Sequence, residues 1–416
     1  MRILWLTEGC SFTDKTDSPG LTARHEAAIR AHLDDGHQLG IAFMSGDSDP
    51  CSVKKDHITY YPVQASLRVG ISPDEWKKAE EKLLDVIRDF KPDIIQCFGA
   101  EWPYGAIAES VDIPVVIHLM GFLNIYYPAI EMARGYHPDQ NSFRTRFRSF
   151  PRRLLSSAKR KNDGGSPNEQ NSSFEQHVME VNHYFFGRTE WDRNIAKYYS
   201  PGSRYFHIPE AVKSFFFNTD HQWKYHFDGK LRLFTMSSGD DRKGNEIILR
   251  TAEILKKVVK LDFVWEIAGH PEFFSYFEKK TGISAEEVNI RLVGMLDDKS
   301  ILNHFEKSDL FIHPSILDNS PHTICEAQLV GVPVLSSNVG GVPQLIEDGK
   351  TGFLYPYNEP HTLAFLIANI FKDHDLLTQI SENSRTMAHI RHDPDAIAAD
   401  LFKAYQTIIA DHGDKL

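Results

Sequence analysis

The sequence has little of three features that would place it in a particular class of protein. Its 416 residues include only four cysteines and no C-x-x-C pair, so neither a disulfide framework nor a structural zinc site is indicated. No stretch approaches the ~18 apolar residues of a membrane span, and the first apolar run is too short for a signal peptide. The net charge of −11 argues against nucleic acid as a partner. We therefore expect a cytoplasmic protein.

The chain does have the length and the pattern of a two-domain α/β protein. Its 416 residues exceed the ~250–300 residues at which a single core stops growing. Short β-rich runs alternate with helical patterns, which is typical of parallel strands joined by helices. Two such series predict doubly wound domains over residues 1–212 and 231–395, a linker over 213–230, and a final helix over 396–416.

Individual elements are predicted from local patterns. Ser72, Pro73 and Glu75 combine an N-cap residue with proline at the first helical position and an acid two residues later, so a helix begins there and continues to Phe90. Further helices are expected over 21–33, 245–256, 323–330 and 396–410. Buried strands are expected over 2–7, 94–98, 115–118, 231–235, 263–267, 290–293, 310–312 and 332–335.

The most informative stretch joins the strand 310–312 to the helix 323–330. Asp318 lies in the connecting loop and Glu326 in the first helical turn or just past it, while Gly331 is a suitable C-cap. The carboxyl end of a strand is where α/β sheets bind ligands. Unpaired amides at residues 322–325 suit a phosphate, and carboxylates can accept hydrogen bonds from sugar hydroxyls. The stretch therefore predicts a site for a phosphorylated sugar ligand.

A second loop carries positive charge. Arg242, Lys243 and Gly244 lie between the strand 231–235 and the helix 245–256. Two fixed cations would neutralise a diphosphate, and the glycine would let the backbone approach it closely. The D-x-D sequence from Asp373 to Asp375 resembles a metal-binding motif, but it follows a helix far from this series. We expect no metal and no other cofactor.

Together these segments resemble the retaining glycosyltransferases of family 4 and their E-x7-E motif. Asp318 takes the place of the first glutamate, so the pattern here is D-x7-E, and Ser238 occupies a position where relatives commonly carry an arginine. We expect Arg242 to supply that charge. The flanking pairs follow in the family's order, namely Pro314-Ser315, Glu326-Ala327, Gly331-Val332-Pro333, Gly340-Gly341 and Asp348-Gly349.

The resemblance implies a GT-B fold, in which two Rossmann-like domains face each other across a cleft. It also implies a metal-independent retaining enzyme that transfers a sugar from a nucleotide-sugar donor to a saccharide or lipid-linked acceptor, as in bacterial surface-polysaccharide synthesis. Glu326 would bind the donor ribose, Asp318 the transferred sugar, and Lys243 and Arg242 the diphosphate. His118, at a strand end, would position donor and acceptor. The expected donor-binding residues are Gly20, Gly244, Ser320, His322, Thr323, Ile324, Gly294 and Arg188.

Two of these assignments have alternatives. Arg188 either reaches the cleft or pairs with Asp192 one helical turn later. The nucleobase would be held by backbone groups near Gly269 and Gly294, so UDP, GDP and ADP donors all remain open. The sequence also allows two alternative functions: a nucleotide-sugar epimerase of the same architecture, and a catalytically weak nucleotide-sugar-binding partner.

An insertion over 139–176 interrupts the pattern of the first domain. Arginines and phenylalanines interleave without an acid from residue 143, and a basic cluster follows up to residue 161. This composition favours peripheral contact with an anionic membrane at its inner face, or else a solvated insertion. Residues 162–173 are polar and rich in Gly, Ser and Asn, so we expect a flexible loop there.

Overall fold

The computed structural model describes residues 1–10, 20–34, 36–45, 51–64, 73–135 and 167–414. The basic segment 143–161 lies outside these ranges, so its membrane contact stays a prediction. The flexible loop predicted over 162–173 is wrong from Pro167 onward, where a helix begins that extends to Val181. Phe174, Val178 and Met179 contact the core of the first domain and explain why this polar segment is ordered. Among the described residues, no helix is both long and apolar enough to cross a membrane.

The first domain is built on an eight-stranded sheet. Its strands are β1 (Arg2–Thr7), β2 (Gln38–Ser45), β3 (Val53–Lys55), β4 (Ile58–Gln64), β5 (Ile94–Phe98), β6 (Val115–His118), β7 (Tyr184–Gly187) and β8 (Arg204–His207). They lie in the order β3-β4-β2-β1-β5-β6-β7-β8, and only β3 and β4 pair antiparallel. Strands β1 and β5, on either side of the point where the strand order reverses, are adjacent.

The second domain is built on a six-stranded parallel sheet. Its strands are β9 (Leu231–Met236), β10 (Phe263–Ala268), β11 (Ile290–Gly294), β12 (Leu310–His313), β13 (Val334–Ser337) and β14 (Phe353–Tyr355). The order β11-β10-β9-β12-β13-β14 is that of a doubly wound dinucleotide-binding sheet. These two sheets confirm the predicted α/β fold class, and the last predicted strand is shifted by two residues because Val332-Pro333 precedes rather than begins β13.

Helices connect the strands on both faces of each sheet. In the first domain they are α1 (Leu21–Arg30), α2 (Pro73–Phe90), α3 (Leu123–Gly135), α4 (Pro167–Val181) and α5 (Glu190–Tyr199). In the rest of the chain they are α6 (Ser214–Phe217), α7 (Asn245–Ile254), α8 (Pro271–Thr281), α9 (Asp298–Lys307), α10 (His322–Val330), α11 (Val342–Leu345), α12 (Pro360–Ile370), α13 (His374–Arg391) and α14 (Pro394–Gly413). The short turn Asp241–Lys243, between β9 and α7, is a 3₁₀ helix that carries part of the predicted site.

The chain crosses between the domains twice. After β8, Phe216 and Trp223 are already buried in the core of the second sheet. After α13, helix α14 packs against the first sheet, where the Nε1 of Trp5 donates a hydrogen bond to the Tyr405 hydroxyl at 3.0 Å. Buried contacts at both crossings hold the carboxyl ends of the two sheets in one arrangement.

Candidate active site

The predicted loops meet at the point where the strand order of the second sheet reverses. Strands β9 and β12 are neighbours there, although β10 and β11 come between them in sequence. Lys243 follows β9 and Asp318 follows β12, and the Nζ of Lys243 lies 2.6 Å from the Oδ2 of Asp318. In open α/β sheets ligands bind in the crevice at this point. The two predicted loops therefore form one site.

Asp318 is surrounded by donors. Its Oδ2 lies 3.3 Å from the Nε2 of His313 and accepts a hydrogen bond of 3.3 Å from the Ser315 hydroxyl, while Oδ1 accepts one of 3.2 Å from the Asn319 amide. Burial alone would raise the pKa of Asp318, but Lys243 and His313 outweigh it and hold this pKa well below its usual range. Asp318 is therefore a fixed anion, and its negative charge keeps Lys243 at the site.

Arg242 is held from several sides. Its guanidinium pairs with Asp240 at 3.1 Å, and its Nη1 lies 3.5 Å from the Leu317 carbonyl. The backbone carbonyl of Arg242 accepts a hydrogen bond of 2.7 Å from the Ile316 amide, which joins the two loops of the site. From the first domain, the ring of Tyr126 lies against the guanidinium, with 4.3 Å from Cζ to the ring centroid. Sequence patterns gave no indication of this contact.

The packing of the two loops also requires a glycine at position 244, in addition to the predicted approach of a ligand. Its φ of +72° is a left-handed conformation, and an added Cβ would lie 2.0 Å from the Pro314 carbonyl oxygen. The glycine therefore lets the loop after β9 pass close to the loop after β12. This close approach places Lys243 and Asp318 within ion-pair distance.

The start of α10 provides fewer free amides than predicted. The amides of Ile324 and Cys325 donate to the Pro321 carbonyl, at 3.0 and 3.4 Å, so this part of the prediction is wrong. Within the described part of the chain, the amides of His322 and Thr323 accordingly remain as the donors for an anion at this helix start. The side chain of Thr323 instead contacts His313, with 3.5 Å between Oγ1 and Nδ1.

Glu326 lies deeper than expected. It is in the second turn of α10 and only 2% exposed. Burial raises the pKa of Glu326 to about 7, although Lys213 and Arg24 oppose that shift. Lys213 pairs with Asp298 at 2.5 Å and lies 3.9 Å from the Oε1 of Glu326. Among the described residues, none donates a hydrogen bond to that oxygen, which is buried from solvent.

Polar contacts of Glu210 join the two domains beside α10. The guanidinium of Arg188, after β7, pairs with the buried Glu210 at 3.1 Å and donates to the Met120 carbonyl at 2.8 Å. Glu210 also accepts a hydrogen bond of 2.8 Å from the Ser320 hydroxyl and contacts His322. Ser320 and His322 thus contact the residues that lead out of the first domain.

Arg24 adds a further contact to this interface. Arg24, on α1, reaches across to His322, with 2.6 Å between Nη1 and Nδ1. The alternative pairing of Arg188 with Asp192 occurs only through the backbone, because Asp192 accepts from the Arg188 amide at 2.9 Å. The Arg188 side chain is engaged with Glu210 instead.

His118 belongs to a buried aromatic cluster. It is the last residue of β6 and fully buried, its ring stacks on Phe98 at 5.2 Å, and its Nδ1 lies 3.2 Å from the Gln96 amide nitrogen. Burial lowers the pKa of His118 well below its usual range, and His25 and Arg188 add to this effect. His118 is therefore neutral, and in this structure it packs in the core of the first domain.

The two remaining predicted glycines are placed at element ends. Gly20 is the N-cap of α1 with an extended backbone, and its carbonyl accepts a hydrogen bond from the Arg24 amide at 3.1 Å. Gly294 ends β11 with a φ of +76°, and its carbonyl accepts a hydrogen bond of 2.9 Å from the Gly269 amide. Both glycines lie at the carboxyl side of their sheets.

Three residues that sequence patterns did not indicate also contribute. Tyr126 lies on α3, Lys213 precedes α6 and Glu210 follows β8. A fourth, Glu101, follows β5, and its Oε2 is buried without a hydrogen-bond partner among the described residues. Burial raises the pKa of Glu101 to about 7. Of these four residues, only Glu101 could have been suggested by the sequence, because it is an acid soon after a strand at the reversal point of the first sheet.

The two facing sheets and the site between their carboxyl ends define a GT-B fold. Sucrose-phosphate synthase from Thermosynechococcus elongatus has a similar structure over 99% of both chains, with a TM-score of 0.71 and 15% sequence identity. The Anabaena protein Alr3699/HepE, solved in complex with UDP-glucose, is similar over 100% of both chains, with a TM-score of 0.61 and 15% identity. Likeness at this level of identity is a likeness of fold.

The second domain also matches a family model. Residues 217–387 match the family described as Glycosyl transferases group 1. A similar curated protein is the amylovoran biosynthesis glycosyltransferase AmsK of Erwinia amylovora, 27% identical over 148 residues, which are 34% of this chain and 36% of AmsK. The chain spans about a third of the length of the curated relatives it matches. The residues that match the family model include both loops of the site, from Arg242 to Glu326.

Proposed function

We propose that this protein is a metal-independent retaining glycosyltransferase of family 4 that acts in the synthesis of a polysaccharide or another glycan. It would transfer a sugar from a nucleotide-sugar donor to a saccharide or lipid-linked acceptor. The observation that carries this proposal is the pair Lys243 and Asp318 at the reversal point of the second sheet, within residues that match a glycosyltransferase model. The name of AmsK and the UDP-glucose in the Anabaena protein support the class of reaction and of donor.

Charge at the leaving group explains the basic loop. As the bond between the sugar C1 and the diphosphate oxygen breaks, negative charge grows on the β-phosphate. Fixed cations and oriented amides stabilise that charge most effectively where water is excluded. Lys243 and Arg242 supply two cations, and the amides of His322 and Thr323 supply two donors. With these groups in place, we propose that no metal is needed for departure.

The proposed mechanism retains the anomeric configuration. The acceptor oxygen attacks C1 from the face that the diphosphate leaves, and its proton passes to a leaving phosphate oxygen. The fixed anion Asp318 would accept hydrogen bonds from the sugar, while the deeper Glu326, whose Oε1 is buried and accepts no hydrogen bond from a described residue, would bind the ribose hydroxyls. In a nucleotide sugar the diphosphate separates the sugar from the ribose, so two carboxylates at separate places suit the two ends of the donor.

The proposal is tested first by donor binding and then by product stereochemistry. We expect one nucleotide sugar of a panel to raise the unfolding temperature, since a ligand at 100 times its dissociation constant stabilises by ~2.7 kcal/mol. With that donor alone, slow release of the nucleoside diphosphate indicates a transferase, whereas an epimerised sugar would indicate the epimerase. Nuclear magnetic resonance of the product should show retention, and an inverted anomer would contradict the mechanism. Binding without turnover on any acceptor would favour the non-catalytic alternative.

Asp318→Asn should separate the two carboxylate roles. The substitution keeps the shape of the side chain but removes the charge that pairs with Lys243, so Lys243 becomes more available to a diphosphate. We expect discrimination between donors that differ only in the sugar to fall at least about tenfold, the value of one lost charged hydrogen bond. Affinity for the free nucleoside diphosphate should stay the same or rise. Equal losses for the donor and the diphosphate in calorimetry would refute this division.

A further inference from the structure

Tyr126 is the residue of the first domain that lies directly over the basic loop. It belongs to the first turn of α3, and its ring faces the guanidinium of Arg242 at 4.3 Å. The same ring stacks on Trp191 of α5, with 6.4 Å between centroids and 13° between planes. An added Cβ at Gly121 would come within 3.0 Å of the Tyr126 ring, so the glycine makes room for it. The ring is thus held within its own domain before it meets Arg242.

The Oδ2 of Asp240 lies 3.1 Å from both the Nε and the Nη2 of Arg242, and Tyr126 covers one face of the guanidinium. Asp240 contacts the edge of the guanidinium from the same loop and is itself one third exposed, at 32%. The Leu317 carbonyl is a weak acceptor at 3.5 Å. A tyrosine ring attracts the flat face of a guanidinium and at the same time shields it from water. Tyr126 therefore restrains the face of a guanidinium that Asp240 binds at its edge.

The surroundings of the Tyr126 hydroxyl place this contact within the active-site region. Burial raises the pKa of Tyr126, and the nearby anion of Asp318 adds to the shift. The phenol therefore stays neutral, and Tyr126 brings no negative charge to Arg242. In the described part of the chain, no residue forms a hydrogen bond with this hydroxyl, so the ring carries the interaction.

We propose that Tyr126 is a positioning residue, through which the first domain holds Arg242 in place for the leaving diphosphate. This inference rests on the proposed transferase function. It makes the second cation of the basic loop dependent on contact between the two domains, since Tyr126 and Arg242 belong to different sheets. Ser238, at the position where an arginine was expected, supplies no cation, so this dependence would affect half of the positive charge of the loop.

The test compares Tyr126→Leu with Tyr126→Phe, which keeps the ring, and with Tyr198→Leu, which alters a tyrosine that is 78% exposed on α5. With acceptor saturating, we expect Tyr126→Leu to lower kcat about tenfold, the size that a partly desolvated cation–π contact implies. Its donor KM should change less than about twofold, because the charge on the leaving group develops in the transition state. Tyr126→Phe and Tyr198→Leu should remain within about twofold of the wild type.

A double-mutant cycle with Arg242→Ala separates positioning from mere packing. If Tyr126 acts through Arg242, Tyr126→Leu should change kcat by less than about twofold once Arg242 is absent. An equal loss in both backgrounds, or a loss that phenylalanine does not restore, would overturn the inference. A wild-type protein that neither binds a nucleoside diphosphate nor releases one from any donor would instead disprove the proposed function. A wild type that turns over while Tyr126→Leu is unimpaired would disprove only the role of Tyr126.

Discussion

Lys243→Ala should lower kcat by roughly a hundredfold or more, the loss expected when one donor to a developing oxyanion is removed. Lys243 lies in the loop after β9, beside the reversal point of the second sheet, and Asp318 holds it there at 2.6 Å. The lost interaction forms mainly in the transition state, so kcat should fall more than the donor KM rises. Steady-state kinetics with the donor found by thermal stabilisation would measure both constants.

The fold should survive this change, because Asp318 keeps three other donors. The His313 ring, the Ser315 hydroxyl and the Asn319 amide all lie within 3.3 Å of its carboxylate. Lys257→Ala is the matched control, since Lys257 is 60% exposed and pairs only with Glu253 one helical turn earlier. Normal kinetics for Lys243→Ala would remove Lys243 from the mechanism, and an equal loss for Lys257→Ala would point to a general effect of lost charge.

The residues of the site that could be predicted from the sequence are those in loops that follow strands of one sheet. Lys243 and Asp318 each follow a strand, and an alternating pattern of strands and helices brings such strand ends together at the reversal point. Glycine after Lys243 was predicted to allow close approach to a ligand, and it was found to allow close approach to Pro314. The same local patterns gave the bounds of most predicted strands and helices to within a few residues.

The contacts between domains could not be predicted in this way. Tyr126 meets Arg242, and Glu210 meets Ser320, only because two separately folded sheets face each other in a particular orientation. Local periodicity carries no information about that orientation. His118 shows a second limit: a strand pattern places a residue at the end of β6, but the neighbouring side chains decide whether its ring enters the cleft or the core.

Arg188→Met should destabilise the protein by ~3–5 kcal/mol, the cost of leaving one member of a buried ion pair without its partner. The side chains of Arg188 and Glu210 are 6% and 1% exposed. Burial already raises the pKa of Glu210, and Arg188 is the main charge that opposes this rise. Without Arg188, Glu210 must either stay charged in a buried site that has lost its main opposing cation or take up a proton. Urea unfolding at neutral pH would measure the loss in the free energy of unfolding.

Two control variants test whether the loss in Arg188→Met comes from the buried ion pair. Arg193→Met, five residues further on, removes an arginine that is 50% exposed and pairs with the exposed Glu190, so we expect a loss below ~1 kcal/mol. In the double variant Arg188→Met and Glu210→Gln, the uncompensated charge is absent and the glutamine still reaches Ser320. We expect it to recover at least half of the loss, since removing both charges of a buried pair costs far less than removing one. If Arg188→Met and Arg193→Met were equally stable, the buried pair of Arg188 with Glu210 would not contribute to the stability of the fold.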